Sequence, residues 1–221
     1  QSLNLGPRKM IVLGSPDDDE FEAFMKIYKA LFGNLPILHR PLMVAAFRLP
    51  TSESEIQSYR GLQGEAYLVR SGNIQNPLPD MSRHNVLILN TEGELRRMYA
   101  ASDINVVGED RNIPEAVVAA TLYFKGIWGE NGYLLEVLEP TGAIEPFSLK
   151  ALKRLYQDAA LRAQRAALGK GAMADFKRQV VSAVEGYALV AGAEIIIDRQ
   201  DDLHAAVPGL VGLLMLLPAV F

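Results

Sequence analysis

Asn112, Pro114 and Glu115 stand in order in "GEDRNIPEAVVAA" (108–120), where an apolar run gives way to a helical pattern. Two chemistries fit that spacing. In one, Asn112 is a helix N-cap, Glu115 at the third helical position reaches back to the cap's own N–H, and Pro114 sits just inside the helix. In the other, the Glu115 carboxylate turns outward, where its two oxygens accept O–H donors from a ligand with the assistance of charge. The motif is short and caps are common, so the spacing alone favours the cap. The two roles do not exclude each other.

Other chemistries are poorly supported. The chain has no cysteine, which removes disulfides, thiolate metal sites and a Cys nucleophile. His39, His84 and His204 are the only histidines, and no two lie at metal-ligand spacing. No G-x-S-x-G elbow accompanies them. The acidic run "DDDE" (17–20) lacks the spacing and glycine of a calcium loop and reads as a solvated helix start. Arg48 at a strand end reads first as a solvated charge, and Trp128 and Tyr133 as packing rings. The 221 residues are 49% hydrophobic and 22% charged with net charge −4, an ordinary globular balance that argues against nucleic acid as a partner.

The elements that must position these residues alternate. "KMIVLG" (9–14) reads as a strand, followed by a helix with Phe21, Phe24, Met25, Tyr28, Leu31 and Phe32 at helical spacing, Ser15 as N-cap and Gly33 as its close. "LMVAAF" (42–47) precedes a helix capped at Thr51 or Ser52. "EAYLVRS" (65–71), "VLILN" (86–90), "DINVVG" (103–108), "LYFKG" (122–126) and "AIEPF" (143–147) read as further strands. Helices are expected over 91–102, 113–121 and 131–142, and one long helix from Ser148 to about Val190. Continuously apolar strands alternating with helices predict an α/β fold with a doubly wound parallel sheet. The expected organisation is a Rossmann-like domain over 8–192 and an apolar appendage over 193–221. Ligands of such sheets bind at the carboxyl ends of the strands, which points at the loops beginning at Gly14, Arg48, Ser71, Asn90, Gly108 and Gly126.

"QSLNLGPRK" at the N-terminus lacks the apolar core of a signal peptide, and cytoplasmic placement is expected. The chain starts at Gln1, which suggests a fragment or a processed product. "AAVPGLVGLLMLLPAVF" (205–221) carries no charge but is shorter than the roughly 20 residues of a bilayer span. It is expected to pack on protein, with peripheral membrane contact as the alternative.

"VLILNTEGELRRMYAASDINVVGEDRNIPEAVVAA" resembles the donor-binding half of a GT-B glycosyltransferase, and is similar to the Kdo transferases of lipopolysaccharide biosynthesis. The matching residues are Thr91, Gly93, Glu94, Leu95, Tyr99, Ala100, Ala101, Asp103, Gly108, Asn112 and Glu115. Further landmarks fall in order. Gly14 and Ser15 match a Gly-Ser loop, and "VRSG" the Arg-Ser after a third strand. Arg48 and Pro50 match an Arg-His-Pro turn with Leu49 in place of His, and Gly126 and Asn131 a Gly-x4-Asn spacing. The resemblance covers roughly residues 10 to 190.

The resemblance implies a nucleotide-sugar site, with CMP-Kdo as donor, a lipid A precursor as acceptor, and inverting transfer without metal or any cofactor beyond the donor. It implies that Glu115 accepts from ribose hydroxyls and that Asn112 and the start of its helix face the donor's phosphate or carboxylate. Arg48 would pair that anion, and Gly14 and Ser15 would let backbone approach the ligand, with Gly93, Glu94, Gly126 and Asn131 completing the set. Two departures stand out: the glycine-rich segments that flank Asn-x-x-Glu in the family are missing, and so is the N-terminal acceptor half with its general base. The alternative is a degenerate, non-catalytic module that binds a partner or serves as a scaffold.

Overall fold

Met10–Gly14 (β1) is apolar throughout and buried throughout, because the sheet it belongs to is covered on both faces. The computed structural model describes residues 8–47, 52–72, 79–108, 113–126 and 132–191. Among them six further strands join β1: β2 (Leu42–Ala46), β3 (Tyr67–Ser71), β4 (Val86–Asn90), β5 (Ile104–Val107), β6 (Ala120–Tyr123) and β7 (Ile144–Pro146). Their order is β3-β4-β2-β1-β5-β6-β7, and every pairing is parallel. The fold is the doubly wound, Rossmann-like α/β sheet that the apolar runs predict. The chain leaves β1 toward β2 on one side and later returns to β5 on the other. The order therefore reverses between β1 and β5, with Gly14 level with both Ala46 and Val107.

Seven α-helices are described: α1 (Asp18–Phe32), α2 (Glu53–Ser58), α3 (Leu95–Ala101), α4 (Ile113–Ala116), α5 (Gly132–Leu138), α6 (Leu149–Gln157) and α7 (Ala159–Ala191). On one face of the sheet, Phe21, Phe24, Met25, Tyr28 and Phe32 of α1 pack with Leu152 and Leu155 of α6 against Ile11, Leu13, Met43, Ile88 and Val106. Each fully buried side chain of this size contributes about 1.5–3 kcal/mol. The opposite face carries Tyr99 of α3 against β1 and α4 against β5. The chain divides into two compact units, residues 1–170 and 171–221; the sheet lies wholly in the first, and the second is helical from Gly171 to Ala191. Among the described residues no helix is long and apolar enough to cross a membrane. The 205–221 stretch lies outside them.

Three local expectations are corrected. The N-cap of α1 is Asp17, not Ser15: Asp17 Oδ1 accepts from Glu20 N at 2.7 Å, and Glu20 Oε2 accepts from Asp17 N at 3.1 Å, a complete capping box. Ser52 does cap α2, accepting from Glu55 N. The long C-terminal helix is broken at Asp158, where α6 ends. Arg162 Nη1 donates to the carbonyls of Leu155 (2.7 Å) and Tyr156 (3.1 Å), catching the last turn of α6, while Asp158 Oδ1 accepts from Leu161 N. The helix expected over 113–121 is one turn, and β6 starts at Ala120, two residues before the expected strand. Its end is fixed from the sheet. Asn105 Nδ2 donates to Ala116 O at 2.6 Å, and Thr121 Oγ1 donates to the same oxygen at 2.8 Å. Both are buried polar side chains in the sheet, and with them the carbonyl is satisfied without another helical turn.

Thr121→Val should keep the shape and lose that hydroxyl. Stability should fall by about 1 kcal/mol. In urea denaturation the midpoint should drop with the slope unchanged; an unmoved midpoint would show that Asn105 alone ends α4.

Candidate functional site

Parallel strands present their carboxyl ends together, and the order reverses where β1 and β5 meet. Gly14 and Ser15 end β1 there, and Gly108 follows β5. Gly108 N donates to Gly14 O at 3.0 Å, and Ser15 N donates to Ala46 O at 2.7 Å. Ser15 has φ +51°, the left-handed region, immediately before Pro16. That conformation costs a non-glycine residue on the order of 1–2 kcal/mol, and the bond to β2 helps hold it. A Cβ on Gly108 would come within 2.5 Å of Ser15 O. Both glycines are where chain meets chain.

The space a Cβ would need on Gly14 is filled by the hydroxyl of Tyr99 from α3, with Leu95 Cδ2 at 3.2 Å. Tyr99 is fully buried, and its hydroxyl has no hydrogen-bond partner among the described residues. Burial first, and then the charge of Glu115, push its ionisation well above the ordinary phenol value. Glu115 lies in α4, packed against α3, half-buried, with Oε2 shut away from solvent and likewise without a partner.

The start of α1 is a poor anion site. The Asp17 and Glu20 carboxylates already take the N–H groups of Glu20 and Asp17, and Asp18 and Asp19 add charge to the same turn. A phosphate there would meet like charge. A pyrophosphate seated on the first helix, as in dinucleotide-binding sheets, is thereby disfavoured.

Gly93 and Glu94 lie between β4 and α3 and do different work. Gly93 is exposed at φ +82°, so the turn needs glycine. Glu94 is buried, paired with Arg70 Nε at 2.8 and 3.0 Å, and accepts from Thr91 Oγ1 at 2.5 Å. Its carboxylate therefore holds the β4 turn to the end of β3. Burial pushes the Glu94 carboxyl up, but the bonds from Arg70 and Thr91 outweigh it and hold the group below its ordinary value.

Of the residues singled out from the sequence, Gly14 lies against the Tyr99 hydroxyl with Ser15 next in the chain, and Glu115 is on α4, packed against the helix that carries Tyr99. Gly93 and Glu94 begin the helix that carries Tyr99, and Gly126 is exposed in the loop after β6. Arg48, Asn112 and Asn131 lie outside the described residues, as does Trp128, so the proposed cap of α4 does too. Arg70 was legible only as part of an Arg-Ser motif. An arginine ending an apolar strand needs a buried carboxylate, and that was the available signal. Among the described residues no group of three His, Cys, Asp or Glu gathers as a metal would require.

No protein-family model matches this sequence, and no curated protein matches it. Solved structures do share the fold. The C-terminal CMP-Kdo binding domain of WaaA from Acinetobacter baumannii is 15% identical with a TM-score of 0.62, covering 76% of this chain and 91% of that one. An alpha,alpha-trehalose 6-phosphate synthase from Burkholderia multivorans is 18% identical with a TM-score of 0.53, covering 85% and 45%. A UDP-forming alpha,alpha-trehalose-phosphate synthase from Burkholderia vietnamiensis is 16% identical with a TM-score of 0.51, covering 86% and 46%. The chain thus spans about half the length of the two synthases and nearly all of the WaaA domain. The class these similarities define is a GT-B-like, Rossmann-like α/β fold.

The Arg70–Glu94 pair gives a pH signature. A depressed carboxyl contributes stability above the unfolded value of 4.5 and loses it as pH falls through the lower folded value. Glu94→Gln should be less stable than wild type at pH 7 by about 3 kcal/mol, because the buried ion pair with Arg70 is broken. The gap should close as pH falls below about 4.5. Urea denaturation across pH 3–7 checks this; a gap that persists unchanged at pH 3 contradicts it.

Proposed function

We propose that this chain is the donor-binding domain of a glycosyltransferase and that it takes a nucleotide sugar at the carboxyl ends of β1, β5 and β6. The observation that carries the reading is Glu115: a carboxylate on the helix that follows β5, with one oxygen buried and unpartnered, packed against the helix whose Tyr99 hydroxyl fills the space at Gly14. In this reading Glu115 accepts the vicinal hydroxyls of the donor's ribose, for which a charged carboxylate oxygen with two lone pairs is suited. Arg48 pairs the donor's anion as a planar fork, with Asn112 and Asn131, which follow β5 and β6 in the sequence.

The first candidate donor is CMP-Kdo, supported by the resemblance of residues 86–120 to Kdo transferases and by the likeness of fold to a CMP-Kdo binding domain. A lipid A precursor is then the acceptor. Acceptor and general base would come from a partner domain, because alignment of two substrates is a large part of such catalysis. The reaction would need no cofactor beyond the donor.

A thermal-shift series with CMP, UMP, UDP and GDP tests this. CMP at about 100 times its Kd should stabilise the chain by about 2.7 kcal/mol, a rise of several degrees, and should exceed the others. Glu115→Gln should weaken CMP binding by about 1.5–3 kcal/mol, since a hydrogen bond to a charged group is lost. If none of the four nucleotides raises the midpoint, the chain is not a donor-binding domain and a scaffold role takes its place.

A further inference from the structure

The face of the sheet that carries α3 and α4 holds several buried polar groups, and most of them are committed. Asn105 Nδ2 donates to Ala116 O, Thr121 Oγ1 donates to the same oxygen, and Ser102 Oγ is bonded to Tyr99 O and Asn105 Oδ1. Two atoms remain without partners there among the described residues: the Tyr99 hydroxyl and Glu115 Oε2. One is a donor and the other an acceptor, on packed helices. Each is shut away from solvent, where an unmet polar group costs about 1–3 kcal/mol. The remaining unpartnered side-chain atoms are elsewhere: His84 Nδ1 lies before β4, and Arg165 faces the Glu145 carboxylate at 2.9 Å.

We infer that Tyr99 is the positioning residue for Glu115: its hydroxyl donates to Glu115 Oε2 through one bridging water, and leaves Oε1 turned toward a ligand. The carboxylate's work is thereby divided. One oxygen is anchored inward, and the other, on the half-buried side chain, accepts from outside. Gly14 is part of the device, because a side chain there would displace the Tyr99 hydroxyl. Fixing a binding carboxylate in one rotamer removes the entropy of ordering it when the ligand arrives. The ligand's part in this rests on the donor-binding reading above; the contact itself does not.

The test uses four versions of the full chain: wild type, Tyr99→Phe, Glu115→Ala and the double variant. Tyr99→Phe should lower the unfolding midpoint by about 2–4 °C, the size expected for one hydrogen bond in a chain of this length. It should have no such effect when Glu115 is already Ala, since residues in contact are not additive. In calorimetric titration, Tyr99→Phe should weaken CMP binding roughly 3–10-fold, a modest share of a charged hydrogen bond. Equal midpoint losses in both backgrounds, or none in either, would show that Glu115 is not the partner of the hydroxyl and would overturn the inference regardless of ligand. Coupled midpoints with unchanged CMP affinity would also overturn it, while leaving the donor-binding reading intact. Failure of wild type to bind CMP, UMP, UDP or GDP removes that reading and the positioning role together. Coupling with a loss of affinity supports both.

Discussion

Everything at the candidate site depends on how closely the chain packs where β1 ends. Gly14 has no side chain, and Tyr99 occupies the space that one would take. Its carbonyl accepts from Gly108 N, which ties β1 to β5, and the next residue ties it to β2 through Ser15 N and Ala46 O. Three neighbouring parallel strands are thus locked at one level. The strained φ of Ser15 is the consequence of turning the chain away from that junction within one residue, so that α1 can start at Asp18. A packed interior does not deform continuously. A larger residue at Gly14 would displace Tyr99 and its helix, and one at Gly108 the Ser15–Pro16 backbone.

The two ends of the sheet differ in how they treat buried polarity. Near the amino ends, Arg40 makes a bidentate pair with Glu65, Asn85 Nδ2 donates to Glu65 Oε2 and Tyr28 Oη, and Tyr28 donates to Pro41 O. That network is closed, and a closed network of this kind rigidifies without offering anything to a ligand. The carboxyl end holds Tyr99 and Glu115 with unspent hydrogen-bonding capacity. Groups left in that state in a folded protein call for an explanation.

Charge adds a second asymmetry. At the start of α1, Asp17 and Glu20 cap each other and Asp18 accepts from Tyr59, and Glu94 is bound to Arg70, so these carboxylates are already engaged. Glu115 is left as the acid at this junction with an unpartnered oxygen. The solved structures that share this fold lie at 15–18% identity and report the path of the chain. One fold hosts many ligands, and the choice among them is made by side chains at the site.

The sequence alone determined the class of fold. Apolar runs without polar alternation, clearest in β1, β2 and β4, read as strands covered on both faces, and their alternation with helical patterns pointed to parallel connections. It also placed Gly14, Ser15, Gly108 and Glu115 at strand or helix ends, because glycine, serine and proline mark those boundaries. It could not place the boundaries that tertiary contacts set. α4 stops after one turn because Asn105 and Thr121, from two different strands, take its last carbonyl. The C-terminal helix breaks at Asp158 because Arg162 folds back onto the turn before it. Nor could spacing reveal that Glu94 belongs to Arg70, 24 residues away, or that Tyr99 reaches the end of β1. Periodicity is a local property and is written in neighbouring residues. The partner of a buried charge or hydroxyl is chosen by which strands come to lie side by side, and only the folded sheet decides that.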